Sequence, residues 1–240
     1  MEIKHRHISL KTTYNTRDAG GYVNKHGIPM RQGLLFRSDG LHKLNEESMN
    51  MLRELGLRSI IDLRTFGETN EHPNPFKNAL DVQYRHYPIF DNYANGLPAS
   101  LLAMYLRMYE QHATLRKIFE HLAQANSFPT LVHCVAGKDR TGIVIALLHD
   151  LCDLTDDDIA ADYALTQELL HPLVQQLKIR GAKAGHDLDH YDKLLQADPV
   201  PFMQAFYQVR NTYGSTIAYL EHIGISKEQI EKIRSTLLEI

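Results

Sequence analysis

The stretch Thr130-Leu-Val-His-Cys-Val-Ala-Gly-Lys-Asp-Arg-Thr-Gly142 decides how the rest of the chain reads. Thr130–His133 is a short apolar run of strand type, Cys134 ends it, five residues form a tight loop, and Arg140 and Thr141 open a helix. A strand–loop–helix turn of this kind suits a tetrahedral oxyanion. The backbone N–H groups of the loop residues Val135, Ala136, Gly137 and Lys138 can all point inward, and the helix N-terminus adds partial positive charge. Arg140 supplies a planar, permanently charged fork for two oxygens at once. The dipoles that bind an oxyanion also stabilise a thiolate at Cys134, and Thr141 is placed to donate its hydroxyl to it. Gly142 completes the set of candidate substrate-binding residues on this turn.

A thiolate facing a bound phosphate is an in-line nucleophile. The chemistry expected is double displacement through a cysteinyl-phosphate, which water then hydrolyses. No metal or other cofactor is called for, because the loop amides and Arg140 neutralise the transferring group. A bare Cys-x5-Arg pattern arises by chance, as a core cysteine with a surface arginine nearby. The strand before it, the helix after it, and His133, Gly137, Thr141 and Gly142 around it give the pattern its weight. The Gly-x4-Gly-Lys-Ser/Thr spacing of an ATP-binding loop is absent.

Outside this stretch the composition is that of an ordinary globular chain. It has 240 residues, 43% hydrophobic and 23% charged, with a formal net charge of -3. That excludes a disordered or collagen-like chain and argues against a dedicated nucleic-acid binder. An anionic substrate must be drawn by a local site. Two cysteines build no disulfide framework and fit a reducing compartment. The N-terminal MEIKHRHISL has no apolar stretch long enough for a signal peptide, and Ile143–Leu148 is too short to span a bilayer. A cytoplasmic protein without an integral membrane segment is expected.

Further strands are expected at Leu34–Phe36, Ser59–Leu63 and Val82–Tyr87, and helices at Asn45–Leu55, Leu101–Tyr109, Leu115–Ala125 and Thr141–Cys152. Alternating strands and helices imply an α/β fold, a central sheet with helices on both faces, over about residues 15–154. Residues 155–240 read as a helical C-terminal elaboration of the same single domain. Thr155–Leu170 and Ser226–Leu238 open with capping-box spacing, and Pro199–Val209 has apolar periodicity. Lys178–Asp192, polar and carrying Gly181 and Gly185, reads as a mobile connection. A packed layer and a lid over the site are both compatible with this part.

His133-Cys134-Val135-Ala136-Gly137-Lys138-Asp139-Arg140-Thr141-Gly142 resembles the signature loop of the cysteine-dependent protein tyrosine phosphatase superfamily, in its bacterial and fungal His-Cys-x-x-Gly-Lys-Asp-Arg branch. Asn15-Thr-Arg-Asp-Ala-Gly-Gly-Tyr22, Leu35-Phe-Arg-Ser-Asp39 and Ile61-Asp-Leu-Arg64 support that branch. The resemblance implies a three-layer phosphatase fold with Cys134 as nucleophile and Arg140 as phosphate clamp. The substrate is then a phosphotyrosine protein, a phosphoserine or phosphothreonine protein, a phosphoinositide or a small phosphate ester. Lys138 either faces a multiply phosphorylated substrate, as the resemblance to phosphoinositide phosphatases implies, or is a solvated lysine.

The leaving oxygen needs a proton. Many members of the superfamily carry the acid on a Trp-Pro-Asp loop, which a chain without tryptophan lacks in its usual form. Asp139, inside the loop beside Arg140, and Asp91, in His86-Tyr-Pro-Ile-Phe-Asp91, remain as candidates. Asp139 is preferred because it is fixed near the phosphate without a conformational change. As a structural alternative Asp139 caps the helix and Asp91 starts a turn. Arg17 and Asp18 are candidates to bind substrate or to brace the loop, and Asp62 with Arg64 reads as a supporting ion pair.

His186 and His190 have metal-ligand spacing but no acidic or cysteine partner at site spacing. Cys152 would lie about 18 Å down the helix axis from the loop, too far for a disulfide to Cys134. Two rival readings remain: a catalytically silent phosphate-binding module, and a rhodanese-like sulfurtransferase, which Arg140-Thr141-Gly142 disfavours.

Overall fold

Five short strands pair into one sheet, and their register sets the functional edge. The computed structural model describes residues 6–89, 98–185 and 187–239. Its strands are β1 (Arg17–Asp18), β2 (Leu35–Ser38), β3 (Ser59–Asp62), β4 (Gln83–His86) and β5 (Thr130–His133), in the order β1-β2-β5-β3-β4. All neighbours are parallel except β1, which pairs antiparallel with β2. Ser38 and Asp62 both stand beside His133. Three strands therefore end at one level and deliver Asp39, Leu63 and Cys134 to the same carboxyl edge, where parallel sheets place their ligands.

Successive strand residues face opposite sides of the sheet. Phe36, Ile60 and Leu131 enter a smaller apolar core, closed by Met49 and Leu52 of α1 (Glu46–Glu54) and by Phe76 of the 3-10 turn Pro75–Asn78. Between them, α2 (Phe66–Glu71) follows β3. Leu35, Ile61 and Val132 enter a larger core with α3 (Leu101–Tyr109), α4 (His112–Leu122) and α5 (Asp139–Leu151). That core continues into α6 (Asp156–Leu169), α9 (Pro199–Tyr213), α10 (Thr216–His222) and α11 (Lys227–Leu237). Helices thus cover both faces. α5 is buried at every position from Arg140 to His149, which is why its sequence is apolar all round.

The strand and helix expectations hold within a few residues at their ends. Asn45, Thr155 and Ser226 are N-cap residues rather than the first helical ones. α4 begins at His112, ahead of the expected Leu115, and α5 begins at Asp139 with Lys138 at the cap position, so Asp139 is not the cap. The expected mobile connection at Lys178–Asp192 is instead the end of α7 (His171–Lys183), a turn, and α8 (Leu188–Leu195) capped by Asp187. Gly181 misleads because it serves packing: a Cβ there would lie 2.5 Å from the Tyr191 ring, so α7 and α8 cross closely at that point. Among the described residues, no helix is long and apolar enough to cross a membrane.

Candidate active site

The loop after β5 is shaped from behind. Gly40 N–H donates to the Val135 carbonyl at 2.9 Å. Asn15 Nδ2 donates to the carbonyls of Ala136 and Gly137 at 2.9 and 3.1 Å, and Arg37 Nη2 donates to Gly137 at 2.7 Å. In a trans peptide the next N–H points opposite to the carbonyl. Holding three successive carbonyls outward therefore turns the N–H groups of Ala136, Gly137 and Lys138 toward the pocket. Gly137 makes the close approach possible: its φ is +63°, and a Cβ would collide with the Ser38 carbonyl.

The residues behind the loop form a buried network. Asp39 accepts from the N–H groups of Tyr14 and Asn15, and burial, opposed by those bonds, pushes its carboxyl up to about 6. Asp162 of α6 is the shared counterion of Arg6, Arg17 and Arg37, all buried. Burial works to raise its carboxyl, but the charges of Arg17 and Arg37 outweigh that and hold it far below the usual range. Arg17 also bonds Asn15, the Asp162 carbonyl and Thr166, and is lowered to about 10, by burial first and then by Arg37. Asp18 accepts from Gly20 N–H and Gly33 N–H at 2.7 and 2.6 Å. Of the two sequence candidates for substrate contact or bracing, Arg17 thus supports the loop through Asn15 and Asp18 ties Gly20 to Gly33, and neither lines the pocket.

Cys134, Lys138, Asp139 and Arg140 together line a cavity of about 300 Å³. Gly40, His42, Arg64, Glu68 and His72 contribute to the lining, and Leu170 with the α7 and α8 residues Val174, Leu177, Tyr191, Leu194 and Leu195 adds a largely apolar part of it. The two C-terminal readings therefore apply to different helices: α9–α11 pack into the core, whereas α7 and α8 line the cavity. Asp91 and His186 lie outside the described residues. His190 donates from Nε2 to the Pro98 carbonyl at 2.9 Å.

Two side chains differ from expectation. Lys138 is only 3% exposed, and its Nζ donates to the carbonyls of Leu194 and Gln196 at 2.6 and 2.9 Å, so the solvated-lysine reading fails. The Thr141 hydroxyl, expected on the thiolate, is buried without a hydrogen-bond partner among the described residues.

The Asp62–Arg64 pair forms as expected, with Arg64 Nε and Nη2 at 2.9 and 2.7 Å from the carboxylate. Burial would raise Asp62, but His133 and Arg64 hold it far below the usual range. His133, fully buried, bridges Asn74 and the Cys134 carbonyl.

Sequence reasoning missed Glu68. Its carboxylate takes both Nη groups of Arg140, at 2.7 and 3.0 Å, while completing a capping box with Thr65. Burial works to raise its carboxyl, and the bonds from Arg140 more than offset this and lower it. The Thr65-x-x-Glu68 spacing just after β3 was the available signal.

The fold and the cup at its edge are those of a phosphatase. Residues 8–239 match the tyrosine phosphatase family, and the chain belongs to that family of hydrolases. It is 26% identical to the triple specificity protein phosphatase PtpB of Mycobacterium tuberculosis, over 95% of this chain and 98% of that protein. A tyrosine-protein phosphatase of Nostoc commune is 26% identical over 84% of this chain and 73% of its own length. Among solved structures, the core catalytic domain of the PP-IP phosphatase SIW14 from S. cerevisiae is similar at a TM-score of 0.41 and 20% identity, covering 66% of this chain and 79% of that one.

Proposed function

We propose that the protein hydrolyses phosphotyrosine in proteins through a cysteinyl-phosphate. The observation that carries this reading is that largely apolar side chains of α7 and α8 line the same cavity as Cys134, Asp139 and Arg140. An aryl ester presents a flat apolar ring between its phosphate and the rest of the substrate, and such a lining buries it. Phosphoserine has no ring to offer. Lys138, whose ammonium is bonded to two carbonyls of the α8 end, gives less support to a second phosphate on the substrate.

In the first step the Cys134 thiolate attacks phosphorus and the bond from phosphorus to the ester oxygen breaks. The Asp139 carboxyl gives its proton to that oxygen. In the second step water attacks phosphorus, Asp139 takes a proton from it, and the thiolate leaves with inorganic phosphate as the product. Arg140 and the loop N–H groups hold the transferring oxygens throughout. Asn15 and Arg37 brace the loop from behind, and Arg17 acts on it through Asn15.

A panel of phosphotyrosine, phosphoserine and phosphothreonine peptides, a phosphoinositide and a small phosphate ester at matched concentrations tests the substrate. The aryl phosphopeptide is expected to have the highest kcat/KM; preference for the phosphoinositide would overturn the reading. A Cys134→Ser protein is expected to lose turnover, and retained turnover would overturn the mechanism. Comparing Asp139→Asn with Asp91→Asn identifies the acid.

A further inference from the structure

The Asp139 carboxylate is held on one oxygen by two neighbouring side chains. The Tyr105 hydroxyl on α3 donates to Asp139 Oδ1 at 2.9 Å, and Lys138 Nζ lies 3.3 Å from the same oxygen. A phenol has one proton to donate. Since Tyr105 gives its proton to Asp139, the 2.6 Å bond between the Tyr105 and Tyr163 hydroxyls is donated by Tyr163 of α6. The order of donation is Tyr163 to Tyr105 to Asp139.

Both rings are fixed in place. Tyr163 stacks on Phe202 of α9 at 4.0 Å and 9°, and Tyr105 meets Phe202 edge-on at 5.3 Å. Gly142 admits the stack beside α5, since a Cβ there would stand 3.1 Å from the Tyr163 ring. Burial, and then the charge of Asp139, raises both phenols well above the usual tyrosine value, so both stay protonated donors at neutral pH.

A carboxyl whose Oδ1 faces two donors carries its own proton on Oδ2. We infer that Tyr105 is a positioning residue for proton transfer: it holds Asp139 Oδ1, so that Oδ2 delivers the proton to the leaving oxygen and later takes one from water. This rests on Asp139 being the acid. It also gives the C-terminal helices a part in the chemistry, because α6 and α9 supply the Tyr163 and Phe202 that hold Tyr105.

The test measures kcat for Tyr105→Phe, Asp139→Asn and the double variant on two aryl phosphates, one with a poor leaving group and one with an activated phenol, across pH. Tyr219→Phe removes a buried hydroxyl bonded to the Tyr109 carbonyl at 2.5 Å, outside the pocket lining, and controls for loss of a buried phenol. Tyr105→Phe is expected to lose about tenfold on the poor leaving group, the factor one hydrogen bond is worth. It should lose little on the activated phenol, shift the pH profile of kcat, and add nothing in the Asp139→Asn background. Equal losses on both substrates, or an undiminished loss in that background, would overturn the inference while Asp139→Asn still marks the acid. If Asp139→Asn itself spares the poor leaving group, the acid assignment falls and the inference with it. Should Tyr105→Phe fail to fold, Tyr163→Phe gives the same reading, with an expected loss of about threefold.

Discussion

The Arg140 guanidinium meets the Glu68 carboxylate through two hydrogen bonds, 2.7 and 3.0 Å long, and Glu68 Oε2 also accepts from Thr65 N–H at 2.7 Å. One carboxylate therefore couples the start of α2 to Arg140, the proposed phosphate clamp. Glu68→Ala removes the two hydrogen bonds that orient the Arg140 guanidinium and is expected to lower kcat/KM by about 10- to 100-fold, equally for good and poor leaving groups, because the lost orientation concerns phosphate and not the proton. Thr65→Ala removes only the cap, worth about 1 kcal/mol, and should cost less activity. Steady-state kinetics on two aryl phosphates check both. An unchanged or raised kcat/KM in Glu68→Ala would mean that the carboxylate only competes with phosphate.

Gly137 is expected to tolerate no side chain. Alanine there pairs a left-handed φ of +63° with a clash on the Ser38 carbonyl. The strain alone costs about 1–2 kcal/mol, and the clash shifts the very peptide that Asn15 and Arg37 hold. Gly137→Ala should lower Tm and abolish phosphate binding together. A variant with lower Tm but intact phosphate affinity, read by calorimetric titration, would show that the loop adapts.

What the sequence made legible was local. The β5 strand, the turn from Cys134 to Arg140, the Asp62–Arg64 pair and the capping spacings at Thr155 and Ser226 depend on residues a few positions apart, so their spacing announces them. The rest of the site is assembled across distance. Glu68 stands 72 positions from Arg140, Lys138 reaches 56 positions forward to Leu194, and Tyr105 lies 34 positions before Asp139. The partners of Lys138 are carbonyls, which any residue carries, so no side-chain pattern could point to them. Lys178–Asp192 misled because Gly181 breaks helices in general, whereas here it makes room for Tyr191.

Asp39 makes a pH-dependent prediction. Its carboxyl is pushed up from 3.8 to about 6 in the folded protein, chiefly by burial. Between those values the native state binds the extra proton, so this group's contribution to stability falls as pH rises through that window. Asp39→Asn keeps an acceptor oxygen for Tyr14 and Asn15 but has no charge to desolvate. The Tm difference, variant minus wild type, is therefore expected to move in the variant's favour from pH 4 to pH 7. A difference that is flat over this range would show that Asp39 is ionised throughout.

Asp162 has the opposite sign. Its folded carboxyl lies far below the ordinary value, because Arg17 and Arg37 outweigh the effect of burial. A depressed carboxyl contributes stability that is fully present above its unfolded pKa of about 3.9 and lost only as pH falls through the folded value. Asp162→Asn leaves Arg6, Arg17 and Arg37 buried without their shared counterion, a loss expected to cost about 3–5 kcal/mol. The penalty should be the same at pH 5 and pH 8, in contrast to Asp39, since wild-type Asp162 is ionised at both. Activity should fall with it, because Arg37 also holds the Gly137 carbonyl at 2.7 Å and a displaced Arg37 releases the loop. Thermal unfolding of the two proteins at both pH values decides the matter: a penalty that disappears at pH 5 would place the Asp162 proton on the folded protein well above the range that its three arginines impose.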